Sequence, residues 1–285
     1  MKHIRNKDKL FPTELNNIPD PPKELFIESN NWQDLLESPK LAVIGSRKAS
    51  SYGQVVTEKL VRGIVAKGVV IVSGLALGID SLAHKAALNA GGKTIAVLPS
   101  GLDEIYPKGH LGLARQIIKD GGALVSEYSP KTMPFKYNFI ARNRIISGIS
   151  KAVLITEAAI NSGSLHTANF ALEQGKDVLV VPGPITSATS AGCNNLIKNG
   201  ATPITSVDDI LEVLNISGNA HAKNQIFASN SAEYQILQSL STEDLYIDEL
   251  HSRSKLDTAI FQQTISYLEI TGRIKAVGGN IWTLL

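Results

Sequence analysis

The chain has 285 residues, 43% of them hydrophobic, with 28 Lys and Arg against 26 Asp and Glu, which suffices for one substantial core and a second small one. Its one cysteine, Cys193, excludes an internal disulfide and fits a reducing cytoplasm, and its longest apolar run, residues 69–79, is cut by Ser73, Gly74 and Gly78, so neither membrane insertion nor secretion is expected. The charge is unevenly placed: residues 40–216 hold 18 Lys and Arg against 12 Asp and Glu while the flanks are acidic, so a polyanion is expected to bind the middle.

In chain order, residues 1–39, with Phe11-Pro12 and the Pro-Asp-Pro-Pro of 19–22, read as an extended lead-in segment carrying one short helix around Trp32 to Leu36. Residues 40–216 alternate short β-branched runs (LAVIGS, VVIVSG, TIAVLPS, ALVSE, AVLITEA, DVLVVPG) with amphipathic stretches, the pattern of an α/β fold on a parallel sheet. Ligands of such sheets lie beyond the carboxyl ends of the strands, where this chain has loops rich in Gly and Ser. Residues 217–230 are small and polar and read as a linker. Residues 231–285 give helical patterns at 231–240, 246–253 and 258–270, then a hairpin with Gly278, Gly279 and Asn280 at its turn, together a small winged-helix-like domain. In its last helix Ile260, Phe261, Ile265 and Leu268 are expected to face the core, with Gln262, Gln263 and Ser266 outside.

Familiar nucleotide codes fail. A dinucleotide fingerprint needs GxGxxG after the first strand, but Gly45-Ser46-Arg47 is followed by no glycine until Gly53, and the second strand ends in Ser73-Gly74 instead of an acid. Gly92-Lys93-Thr94 lacks the leading glycine of a P-loop, whose place Ala87 takes, and enters a strand. The six histidines show no metal-ligand spacing, so neither metal nor cofactor is expected. What remains are two junctions, Gly45-Ser46-Arg47 and Ser162-Gly163-Ser164, each expected to open a helix whose free amides favour phosphate. Ser46, Ser164 and Thr167 equally suit capping or packing. Asp80 is expected to cap the helix after SGLALGI, with His84 bonded to it one turn later.

The stretch FIARNRIISGIS, residues 139–150, sets Arg142 inside the apolar arc of Phe139, Ile145, Ile146 and Ile149, with Arg144 pointing the other way. A core-facing arginine is costly unless its charge is compensated or it reaches a polar crevice. Just before it, Lys136 interleaves with Phe135, Tyr137 and Phe139, the mixture of cations and π-faces that single-stranded nucleic acid takes; a loop anchored by Phe139 in the core is the plainer reading. Arg47, whose fork suits a phosphate, and Arg142 are expected at one crevice, and Arg144 braces a neighbouring loop or a second subunit.

Together GSRKASSYG, SGLALGIDSLAHKAAL, FIARNRIISGIS, SGSLHTANFALEQGKDVLVVPG and GCNNLIKNGA resemble the DprA/Smf family of DNA-processing proteins over about residues 11–216, and the tail resembles an appendage of many members. The resemblance implies an extended Rossmann-like core that forms a homodimer, binds and protects single-stranded DNA, and loads the RecA recombinase during natural transformation. It makes Gly45, Ser46, Arg47, Lys136, Arg142, Asn143 and Arg144 DNA-facing, and the residue reading above adds Phe139 and the junction of Ser162, Gly163 and Ser164. Longer relatives have a helical N-terminal domain for which 39 residues leave no room, so functions of that domain are not expected. A more distant likeness is to lysine-decarboxylase-like nucleotide phosphoribohydrolases, whose loop reads PGGxGTxxE; here His166 and Thr167 stand where acids would fall, and Glu157 is the one nearby carboxylate, suited to holding loop amides.

Overall fold

The computed structural model describes residues 1–216, 230–240 and 245–284, in two compact units divided after Ile216. The sequence-expected linker, 217–230, lies outside the described residues except for Asn230.

In the first unit the chain runs β1 (Lys2–Arg5), β2 (Glu24–Glu28), α1 (Trp32–Glu37), β3 (Lys40–Gly45), α2 (Ser51–Val65), β4 (Val70–Ser73), α3 (Ile79–Asn89), β5 (Thr94–Val97), α4 (Leu111–Lys119), β6 (Ala123–Ser126), α5 (Lys136–Gly148), β7 (Ala152–Glu157), α6 (Ser164–Glu173), β8 (Asp177–Val180), α7 (Ala191–Lys198), β9 (Thr202–Pro203) and α8 (Val207–Val213). The strands form one sheet in the order β1-β2-β6-β5-β4-β3-β7-β8-β9, parallel from β6 to β9. Both faces are covered: Ala42 and Ile44 join one core with α5 and α6, while Leu41 and Val43 join another with α2 and α3, so every residue of β3 is buried. The chain leaves β3 toward β4 and returns beside β3 as β7, which opens a crevice at the carboxyl ends of these two strands.

Residues 1–39 are not a lead-in. β2 extends the sheet antiparallel to β6 and β1 pairs antiparallel with β2 at the edge, Leu15, Trp32 and Leu35 are buried in the core, and the Trp32 indole donates to the Leu10 carbonyl at 2.8 Å. The reason is the alternation in Glu24–Glu28, where Leu25 and Ile27 point inward, a period-two signal overshadowed by the prolines before it.

The second unit holds α9 (Ser231–Leu240), β10 (Leu245–Tyr246), α10 (Ile247–Ser254), α11 (Thr258–Ile270), β11 (Ile274–Gly278) and β12 (Ile281–Leu284), with β12 between β10 and β11. Three helices on a three-stranded antiparallel sheet are a winged helix. Its core takes Phe261, Ile265 and Leu268 from α11, but Ile260 is half exposed; with Tyr267 and Ile270 it makes the outer face of α11 more apolar than the sequence periodicity implies. Among the described residues no helix is long and apolar enough to cross a membrane.

Candidate nucleic-acid interface

A cleft of about 520 Å³ occupies the crevice between β3 and β7. On one side lies the loop after β3. Gly45 has no room for a side chain against the Glu157 backbone, and the Ser46 amide donates to the Glu157 carbonyl at 2.7 Å. Ser46 Oγ accepts from the Lys48 amide, closing a tight turn that leaves Arg47 and Lys48 exposed. Gly78, at φ +77°, seats this turn: a Cβ there would collide with the carbonyls of Ser46 and Arg47.

Contrary to the sequence expectation, Gly45-Ser46-Arg47 does not open a helix. α2 starts at Ser51, capped by Ser50, whose Oγ accepts from the Gly53 amide at 3.1 Å. The buried Glu157 carboxylate accepts from the Ser50 amide at 2.8 Å, from the Ser50 hydroxyl and from the Thr189 hydroxyl at 2.8 Å, and so ties the loops after β3 and β8 to the end of β7. Across the cleft, Ser162-Gly163-Ser164 does open α6, with Gly163 at the N-cap and the Ser162 and Ser164 hydroxyls 2.8 Å apart.

Arg47 extends over the Phe139 ring, its guanidinium carbon 5.6 Å from the centroid, and Tyr106 meets the same ring edge-on at 5.3 Å. Phe139 therefore stands in the cleft wall with a cation on its face. Asn143 also lines the cleft.

Arg142 forms the floor, only 4% exposed. Its Nη1 donates to the carbonyls of Gly74 (2.6 Å) and Val97, at the ends of β4 and β5, and its Nε to Asn143 Oδ1 at 3.2 Å. Asp80 takes the Gly74 amide at 3.0 Å, so the arginine and the aspartate hold Gly74 by its two backbone groups. Burial pushes the Asp80 carboxyl above the usual carboxylate range while Arg142 pulls the other way; burial lowers Arg142 to about 10, which Asp80 opposes. Asp80 is thus no cap, since Gly78 holds that place; the helix begins one residue before it, and its carboxylate turns back to the β4 loop. His84 is not bonded to it either: Nδ1 pairs with Thr94 Oγ1 at 2.7 Å, and burial holds the ring down to about 3.

Two expected members stand outside the cleft lining. Arg144, 7% exposed, pairs through Nε with Asp20 at 2.7 Å and through Nη2 with Glu127 at 2.5 Å, fastening the Pro-Asp-Pro-Pro segment to the end of β6. Its charge is compensated within the protein, and it braces these two segments, the neighbouring-loop role expected of it from the sequence. Lys136, the first residue of α5, is exposed between Phe135 and Tyr137, whose rings stack 5.8 Å apart. Sequence reasoning missed Tyr106, which reaches Phe139 from a loop 33 residues upstream and carried no local signal, and left His166, which lines the cleft, without a role.

Residues 2–215 match the family model for DNA recombination-mediator protein A, and residues 220–280 match the model for the DprA winged helix domain. The chain is 40% identical over 282 residues to Protein Smf of Escherichia coli, covering 95% of this chain and 74% of that one. It is 47% identical over 204 residues to the DNA processing protein DprA of Streptococcus pneumoniae, covering 72% and 71%. Among solved structures, DprA from S. pneumoniae superposes with a TM-score of 0.69 at 45% identity (74% of this chain, 73% of that one). DNA processing protein A from Helicobacter pylori, described for its single-stranded DNA binding mode, superposes with a TM-score of 0.67 at 34% identity (75% and 96%).

Proposed function

Because this chain belongs to the DNA recombination-mediator protein A family, whose relatives above carry the names DprA and Smf, we propose that it binds single-stranded DNA in the cleft between β3 and β7. The observation that carries this reading is the Arg47 guanidinium over the Phe139 ring at the mouth of that cleft. A single strand offers phosphates to cations and unstacked bases to aromatic faces, and the pair supplies one of each. Arg47 and Lys48 take phosphates, the Gly163 amide at the turn that opens α6 adds a donor, and Phe139 takes a base. Lys136, with the stacked Phe135 and Tyr137, continues this surface outside the cleft; Arg142 and Asn143 shape the floor. The H. pylori relative's single-stranded DNA binding supports the assignment.

In the cell, the bound strand is incoming DNA, which the protein protects and hands to the RecA recombinase during natural transformation, acting in the cytoplasm as a homodimer through its α/β core. A nucleotide-cleaving enzyme is less well supported, because Asp80 and Glu157, the carboxylates beside the cleft, are both engaged in holding loops.

The reading is tested by the salt dependence of binding. With three or four cations engaged, log affinity falls against log salt with a slope of about −2 to −3. Arg47→Ala and Lys136→Ala each make the slope shallower by about 0.7. Unchanged slopes in both variants would remove these residues from the site.

A further inference from the structure

We propose that His166 is a further strand-binding residue of the cleft: as an imidazolium it contacts a backbone phosphate, so that single-stranded DNA is held more tightly as the pH falls. This rests on the cleft being the strand site. His166 is the third residue of α6, is exposed, and lines the same cleft as Arg47 and Phe139. Leu165 packs on the core, while Ser162, Gly163, Ser164 and Thr167 line the cleft beside His166, so the imidazole is the one ionisable side chain that this turn brings to the cleft.

The charged side chains lining the cleft beside it are Arg47 and Lys48 from the loop after β3, Asp80 from α3 and Arg142 from α5. Asp80 and Arg142 are buried and hold Gly74 between them, which leaves Arg47 and Lys48 as the exposed cations. A phosphate seated among these cations favours the charged form of a facing imidazole, so strand binding and proton uptake are linked. His84 does not supply this link, being buried and held down to about 3, and His110 stands outside the cleft lining, its Nδ1 donating to the Leu75 carbonyl at 2.8 Å.

The test is to titrate the full chain with a fluorescent single-stranded oligonucleotide over a salt series at about pH 5.5 and about pH 8, alongside His166→Gln and Arg47→Ala. The expected result is a log–log salt slope about 0.7 steeper at the lower pH in the unaltered chain and equal slopes at both pH values in His166→Gln. Steepening that survives in His166→Gln, or none in the unaltered chain, would overturn the proposal. Equal weakening at both pH values in His166→Gln would also overturn it, pointing to an uncharged contact. Thermal melts of both variants control for folding. If Arg47→Ala leaves binding unchanged at the higher pH, the cleft reading itself fails; if that variant binds weakly while His166→Gln behaves like the unaltered chain, the His166 assignment alone fails.

Discussion

Arg142 resolves the oddity of a cation inside an apolar arc. Its guanidinium is buried where β4 and β5 end, and there it meets the Gly74 and Val97 carbonyl oxygens instead of solvent, with the buried Asp80 as its nearby counter-charge. Removing one partner of such a pair leaves the other charge buried and alone, at a cost of about 3–5 kcal/mol. Arg142→Met should therefore lower the unfolding free energy measured in urea by that amount, and adding Asp80→Asn should recover part of it. A stability loss below about 1 kcal/mol would mean that the pair is not a structural element of the floor. Sequence alone placed Arg142 on the core side and beside a crevice. It could not show which backbone groups the arginine meets, since Gly74 and Val97 lie 68 and 45 residues away.

At the level of elements, α5 is held at both ends by groups distant in sequence. Tyr106 and Arg47 pack on Phe139 in its first half, and Lys176 donates to the carbonyls of Ser147 (2.8 Å), Gly148 and Ser150 (2.7 Å) at its end. Burial pulls the Lys176 ammonium from 10.5 down to about 8, with Glu14 opposing. Between these values the folded chain binds fewer protons than the unfolded one, so this group's contribution to stability increases as pH rises from about 8 to 10.5. Lys176→Met should lower stability near pH 7 by about 1–3 kcal/mol, because it orphans carbonyls at the helix end, and should flatten that alkaline rise. Urea midpoints measured across this range check both; a rise that persists in the variant would assign it to another group. The central strands were legible because two-sided burial writes them as continuous apolar runs. β1 and β2 were not, since antiparallel strands at a sheet edge carry only a short alternation, and α2 was expected too early because Ser46 and Ser50 both have the chemistry of a cap while only Ser50 reaches Gly53.

Across the whole molecule, the cationic cleft belongs to the first unit and an acidic balance to the second. α11 carries Asp257 at its cap and Glu269 near its end, and its outer face shows Ile260, Tyr267 and Ile270, the last 85% exposed. Such a face lacks the cations that a backbone-reading helix brings to DNA. A fragment ending near Gly218, shown by circular dichroism to be folded, should keep single-strand affinity within tenfold of the intact chain, or about 1.4 kcal/mol; a larger loss would make the tail part of the DNA site. The central claim, that the β3–β7 cleft makes this a single-strand binder, is tested most directly by titrating the intact chain against one oligonucleotide in single-stranded and duplex form at two salt concentrations. Tighter binding of the single strand at both salts, weakening as salt rises, is the predicted result. Equal or tighter binding of the duplex would contradict it.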